Sequence, residues 1–347
     1  MQTVKRLYLY GVLGVALVLL LWGLSDLLRF GLDQVARAAG ADPAFAGRLA
    51  REDLSRAVAL VIVAGSIFAV HLALIRQSLR GPKAAVVDER ASVARSTYFF
   101  LVLAGTGTAL GLASIDLVDG FIAAVGFGER GWRPMSSLAS IAVFGIAWAL
   151  HLRVHLDDLR SVPHRLAGDW LTRAYLYGTL TVAVLIATVE TGEVLAASAR
   201  RLLDLRPALA PDDWWQESIT WPVAAITVAA IAWLSHWLLG TRLLRAPDPI
   251  GAAQRVSRTR RGYFLALVLV STSAVLLLGA LGLRHVLAEM QGVWRSTDGP
   301  TLLEDVGGPL LPALPFMVAW WWHQRRVAHE ALATGGGGAA RSVGRTA

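Results

Sequence analysis

The chain predicts an all-α, polytopic membrane protein with eight transmembrane helices arranged as two parallel four-helix repeats. Three observations carry that prediction. Hydrophobic residues make up 55% of its 347 positions and charged residues 17%, with a mean hydropathy of +0.52, a balance outside that of soluble domains. The apolar residues gather into runs of about 20, the number needed to cross ~30 Å of hydrocarbon at ~1.5 Å per residue. The third is a recurrence: an aromatic residue three positions ahead of a histidine closes four of these runs, as Phe68 with His71, Trp148 with His151, Trp233 with His236 and Trp320 with His323.

Taken in order, the runs are Leu7 to Leu28, Ala57 to Ile75, Thr97 to Val118, Leu138 to Leu152, Ala174 to Leu195, Ile219 to Leu239, Tyr263 to Leu283 and Val306 to Trp322. They are too long and too uniformly apolar to alternate as barrel strands, and an open sheet cannot satisfy its backbone in lipid. The first run follows Lys5 and Arg6 and is 22 residues long. The apolar core of a cleavable secretion signal is shorter, so this run reads as a retained anchor. The last contains Pro309, Pro312 and Pro315, which remove backbone donors and predict a bent helix or freed carbonyls lining a cavity.

Charge orients the runs. With the N-terminus inside, the inner segments hold 21 Lys and Arg against 7 acids, and the outer segments 12 against 18. Arg76, Arg80, Lys83, Arg90 and Arg95 carry the first inner turn, and Arg242, Arg245, Arg255, Arg258, Arg260 and Arg261 the third. The asymmetry obeys the positive-inside rule and places both termini in the cytoplasm. The formal net charge of +8 therefore reports orientation, with affinity for the anionic headgroups of membrane lipids, and calls for no nucleic acid partner. Cysteine is absent, which removes disulfides, thiolate metal sites and cysteine nucleophiles.

Odd-numbered runs open with arginine and tyrosine: Arg6 with Tyr8, Arg95 with Tyr98, Arg173 with Tyr175 and Arg261 with Tyr263. Eighteen positions beyond those tyrosines stand Asp26, Asp116, Glu193 and, out of pattern, Leu281. That offset is about 27 Å of helix, so the tyrosines mark one membrane boundary and the acids the other. A longer period overlies this one. Tyr8 to Tyr175 spans 167 positions, while Tyr98 to Tyr263 and His71 to His236 each span 165. The reading is a duplicated four-helix unit, 1–165 and 166–330, each half itself a doubled hairpin. Positions 331–347, with Gly335 to Gly338, have little to bury and predict a disordered cytoplasmic tail.

Two-helix units that open Arg-x-Tyr-x-Tyr and close Trp-x-x-His resemble a bacterial integral-membrane domain of unassigned function, found singly or in tandem. Phe68 and Leu281 depart from its pattern. The resemblance covers about Arg6 to Arg326 and implies a multi-span protein of the bacterial cytoplasmic membrane. It carries no catalytic residue across.

Two constellations are candidates for chemistry. His71, His151, His236 and His323 fall at one depth, where imidazoles gathered on a common axis would bind haem or a metal. Alternatively they belong to an interfacial aromatic belt with Trp148, Trp233, Trp237, Trp320, Trp321 and Trp322. Asp26, Asp116, Glu190 and Glu193 form either an outer acidic ring for cations or solvated helix ends. Glu190 lies one turn inside its run, where an ionisable group is costly. No other ionisable residue lies mid-span, which counts against an ion-coupled transporter. His155 with Asp157 and Asp158, and His285 with Glu289, read as solvated faces. Gly107 and Gly111 read as a close-packing helix face.

Histidines and outer carboxylates lie about 25 Å apart on opposite sides, so no triad forms and no enzyme is expected. The function these readings favour is a non-enzymatic membrane component that packs, binds a partner or organises the membrane, without a resident cofactor. A permease or channel-like protein with a pathway between the halves is the first alternative. A haem or metal protein built on the four histidines is the second.

Overall fold

The computed structural model describes residues 2–38, 48–128, 134–166, 169–202, 213–291 and 302–343. All of its regular structure is helical: α1 Gln2–Ala38, α2 Arg48–Ser78, α3 Lys83–Arg90, α4 Val93–Phe121 with a π-helical turn Ile122–Gly126, α5 Met135–Ser161, α6 Pro163–Leu166, α7 Trp170–Leu202, α8 Trp214–Arg245, α9 Pro249–Arg255, α10 Arg258–Met290 and α11 Leu302–Val343. Seven of the described helices are long and apolar enough to cross a membrane. The chain is thus a multi-pass membrane protein. The eighth predicted span, Val306 to Trp322, lies in α11 and is not among the seven. Its three prolines, three tryptophans and His323 dilute the apolar content that its leucines and valine supply.

The helices overrun the apolar runs at both ends. The inner turns hold short helices that the hydropathy pattern did not show. Local capping explains the start of one of them, α9, and of α4 beside another. Asp248 accepts from the Gly251 N–H at 2.9 Å and Pro249 occupies the first turn of α9, a favourable start because proline has no N–H to leave unsatisfied. Ser92 accepts from the Arg95 N–H at 3.4 Å to begin α4. The bounds of α11 take in residues 331–343, including the four-glycine run, where the composition predicts a tail without order.

The chain divides into two compact units, Met1–Leu176 with Leu238–Val256, and Tyr177–Trp237 with Ser257–Ala347. The predicted boundary at 165/166 lies inside the first unit. Leu238–Val256, which includes α9, goes with the first unit instead of the second.

In the first unit α1 is central, packing against α2, α4 and α5. Tyr10, Leu13, Leu17 and Leu21 recur at helical spacing and bury against Ile75 of α2, Phe99, Val102 and Leu103 of α4, and Ala147 of α5. The rest of α1 remains apolar but exposed, as at Val15, Val18 and Trp22, which suits a helix whose outer face meets hydrocarbon. Small residues bring α1 and α2 together: a Cβ on Gly23 would lie 2.9 Å from Leu60 Cβ and 3.0 Å from the Ala57 carbonyl oxygen. Along that pair an apolar cleft of about 530 Å³ runs past Gly11, Val15, Leu19, Ala59, Val63 and Ile67. At the tyrosine end, Leu159, Val162 and Ile250 form a small second core with Val87 and Leu243.

In the second unit α10 packs along α11. Gly282 lies against Leu310, and Gly192 of α7 lies against Pro312, to whose Cα an added Cβ would come within 2.9 Å. Of the predicted packing glycines in α4, Gly107 meets Trp148, but Gly111 faces open space.

Candidate functional site

Where α1 and α4 begin, the first unit buries a charged network drawn from four elements. Arg95 of α4 is 5% exposed and Asp158 of α5 is 4% exposed. The Arg95 Nε donates to Asp158 Oδ2 at 2.5 Å, and its NH1 donates to the Tyr10 hydroxyl at 3.1 Å. Tyr10 in turn donates to Glu89 Oε1 of α3 at 2.9 Å, and Arg6 Nε donates to Glu89 Oε2 at 2.8 Å. Arg90 stands 3.7 Å from Asp158, and Arg6 3.3 Å from Asp88. Phe99 closes the network from below, its ring 5.1 Å from the Arg95 guanidinium carbon. Both buried carboxylates are matched by guanidinium groups and the one hydroxyl is used as donor and acceptor. Matching of this kind avoids an uncompensated buried charge, although the buried Arg90 Nε, 3.7 Å from Asp158, makes no hydrogen bond.

Sequence reasoning assigned His155 and Asp158 to a solvated face, and that reading is corrected. Only Asp157 is exposed, while His155 and Asp158 are buried. The reason is that α5 continues nine residues beyond Leu152, to Ser161. His151, His155, Asp158 and Val162 then recur at three or four positions on one helix face, a periodicity that the charged residues between them masked. His155 Nε2 pairs with the Thr172 hydroxyl at 2.9 Å, and Thr172 donates to Asp169 at 2.6 Å. Glu89 was also missed. It comes from an eight-residue helix whose charges read as a solvated inner turn, and no local signal marks it as buried. His285 is partly exposed, and the side chain of Glu289 lies outside the described residues.

The four repeated histidines share one local geometry. In each, Nδ1 lies 2.7 or 2.8 Å from the carbonyl oxygen four residues earlier: Ile67 for His71, Ala147 for His151, Ala232 for His236 and Ala319 for His323. A carbonyl only accepts, so Nδ1 carries the proton and the lone pair is on Nε2. At His151 and His323 that lone pair faces a tyrosine hydroxyl, Tyr98 at 2.9 Å and Tyr263 at 3.3 Å. His71 lies beside the Tyr8 ring, with centroids 5.9 Å apart. At His151 and His323 the tyrosine hydroxyl occupies the nitrogen that a metal or haem iron would need. Among the described residues, no group of three or more His, Asp and Glu could hold a metal ion.

Four of the tryptophans near those histidines, Trp148, Trp233, Trp237 and Trp322, pair with a polar group or with one another. Trp148 Nε1 donates to the Tyr175 hydroxyl at 2.7 Å. In the second unit Trp233 and Trp237 stack at 5.5 Å, and Trp322 meets both edge-on.

Of the predicted acidic ring, Asp26 pairs with Arg56 at 3.4 Å and Asp116 accepts from Ser137. Glu193 is exposed and Glu190 is partly buried, both on α7. Asp26 and Asp116 are therefore each held by a separate partner at the acid end.

Among known families, a model described as a domain of unknown function, DUF5671, matches residues 6–132, a stretch that spans α1 to α4. This is similarity over little more than a third of the chain, to a family whose activity is itself unassigned. No curated protein and no solved structure matches.

Proposed function

We propose that this chain is a non-enzymatic component of the bacterial cytoplasmic membrane that works by packing, partner binding or membrane organisation. In this reading it crosses the membrane eight times as two four-helix repeats, with both termini in the cytoplasm. Support for the repeats comes from contacts that recur at matching positions. Tyr98 with His151 is paralleled by Tyr263 with His323. Arg95 over Phe99 is paralleled by Arg260 over Phe264, at 5.1 and 5.7 Å. Tyr10 against Tyr98 is paralleled by Tyr177 against Tyr263, both at 5.5 Å.

One observation carries the functional reading: eight described hydroxyls between the two polar ends turn back onto their own helices. Ser66, Thr106, Ser114, Thr181, Thr188, Thr191, Thr227 and Thr272 each donate to the carbonyl four residues earlier, at 2.6–2.8 Å. They offer no polar lining to a passing solute, and the charged network at the tyrosine end is consumed internally. A permease draws on one contrary contact, Gly192 seated on Pro312 beside the partly buried Glu190. Purified protein in proteoliposomes decides between the two. Passive flux of cations, anions and small neutral solutes equal to that of protein-free vesicles is expected, whereas flux above that background that Glu190→Gln abolishes would overturn the reading. The optical spectrum of the same preparation is expected to lack a Soret band.

A further inference from the structure

Arginine is used differently on α11. In the first unit Arg6, Arg90 and Arg95 face carboxylates. On α11, two consecutive arginines rest on two consecutive tryptophans one turn earlier. The Arg325 guanidinium carbon lies 4.0 Å from the Trp321 ring centroid, and that of Arg326 lies 5.2 Å from Trp322 and 5.6 Å from Trp237. Both arginines are exposed, and among the described residues neither forms an ion pair. At 4.0 Å Arg325 lies over its indole, and a guanidinium held on a ring face in this way keeps its in-plane N–H donors available to a phosphate in bidentate fashion.

The helix face leading to Arg325 is apolar and uncovered. Leu314 is 44% exposed, Val318 65% and Trp321 48%. With Arg325 they follow one another at steps of four, three and four, so they form a single stripe about 16 Å long. An acyl chain against Leu314 and Val318, a glycerol backbone at the Trp321 ring and a phosphate at Arg325 and Arg326 match this order of chemistry. Indoles belong at the glycerol level and guanidinium groups at the headgroup level. We infer that the end of α11 is a binding site for an anionic phospholipid, formed by Arg325 and Arg326 held on Trp321, Trp322 and Trp237. This rests on the proposed reading that α11 is the eighth span, with Arg325 and Arg326 at headgroup level, and does not depend on the chain being non-enzymatic.

The test is titration of micelle-solubilised protein with dioleoyl phosphatidylglycerol or dioleoyl phosphatidylcholine, with bound lipid counted by native mass spectrometry. Phosphatidylglycerol is expected to be retained in preference to phosphatidylcholine. Arg325→Gln with Arg326→Gln should weaken it about tenfold or more, the size expected for two arginines at the headgroup level. The charge-matched pair Arg76→Gln with Arg80→Gln should leave it within about twofold, a contrast set by the absence of stacked indoles there. Trp321→Leu leaves the charge unchanged and should still weaken binding severalfold. Equal losses for both arginine pairs, equal retention of the two lipids, or an unchanged Trp321→Leu would overturn the inference. Displacement of the lipid by millimolar inorganic phosphate would identify a free-anion site instead and overturn it too. Melting temperature guards against misfolding, and the single exposed change Arg325→Gln carries the test if the double variant unfolds. Flux in proteoliposomes is a separate readout, so failure here and failure of the proposed role are distinguishable.

Discussion

Replacing Arg95 by methionine tests the charged network most directly. The substitution retains much of the side-chain volume above Phe99 and removes both donors. Asp158 keeps only Arg90, at 3.7 Å and itself partly exposed, and the Tyr10 hydroxyl loses the donor at 3.1 Å. Because Arg95 and Asp158 are both nearly inaccessible, the remaining carboxylate stays desolvated and unmatched. Orphaning one member of a buried pair in this way costs about 3–5 kcal/mol. Asp158→Leu alone should be similarly damaging, because it leaves the guanidinium buried with only a hydroxyl acceptor. Combining the two removes the uncompensated charge, so the double variant should be more stable than the sum of the singles requires, by at least about 2 kcal/mol of coupling. The more exposed pair of Arg6 with Asp88 provides the comparison: Asp88→Asn should cost under about 1 kcal/mol. Equilibrium unfolding of purified protein in mixed micelles, followed by circular dichroism at 222 nm or its equivalent far-ultraviolet band, gives all four values. Losses below about 1 kcal/mol for both buried singles, or additivity within about 0.5 kcal/mol, would refute the account of a satisfied buried network.

Three further outcomes are expected. Gly23→Ala should destabilise by about 1–3 kcal/mol, because its Cβ meets Leu60 and the α2 backbone, whereas Gly11→Ala, which faces open space, should stay within about 0.5 kcal/mol; thermal melts of the two variants compare them. Tyr98→Phe and Tyr263→Phe should each lose about 1 kcal/mol of stability as a histidine lone pair loses its donor, measured by the same unfolding assay; no change in either would remove the tyrosine–histidine pair from the account. Because the chain has no cysteine, single cysteines report topology without background. Ala84→Cys should react with a membrane-impermeant maleimide only in inverted vesicles and Val35→Cys only in intact spheroplasts, and the reverse pattern would invert the orientation.

Much of the scaffold was legible because it follows from local composition. Seven of the eight apolar runs correspond to helices that can cross a membrane, since run length against bilayer thickness is a one-dimensional comparison. The eighth run fell short for a reason also visible locally, its prolines and tryptophans. The extents of the helices were less legible. Polar ends such as 153–161 are helical through contact with α3, α6 and α9, and hydropathy gives no sign of that contact. This is why His155 and Asp158 were read as solvated although their spacing from His151 places them on the buried face. The histidine repeat was plain in the sequence, but its chemistry was not: the same imidazole either binds a metal or bonds a tyrosine, depending on what lies opposite.

From sequence alone came the membrane class, the charge asymmetry and the recurrence of tyrosine, acid and histidine along the chain, all of which depend on residues near one another in order. Tertiary structure alone decided which charges are buried together. Arg95, Glu89, Tyr10 and Asp158 come from four separate elements, up to 148 positions apart, and their mutual neutralisation exists only once α1, α3, α4 and α5 meet. The helix period and bilayer thickness constrain each segment separately, whereas the energy of a buried charge is set by atoms within a few ångströms of it, whatever their distance along the chain.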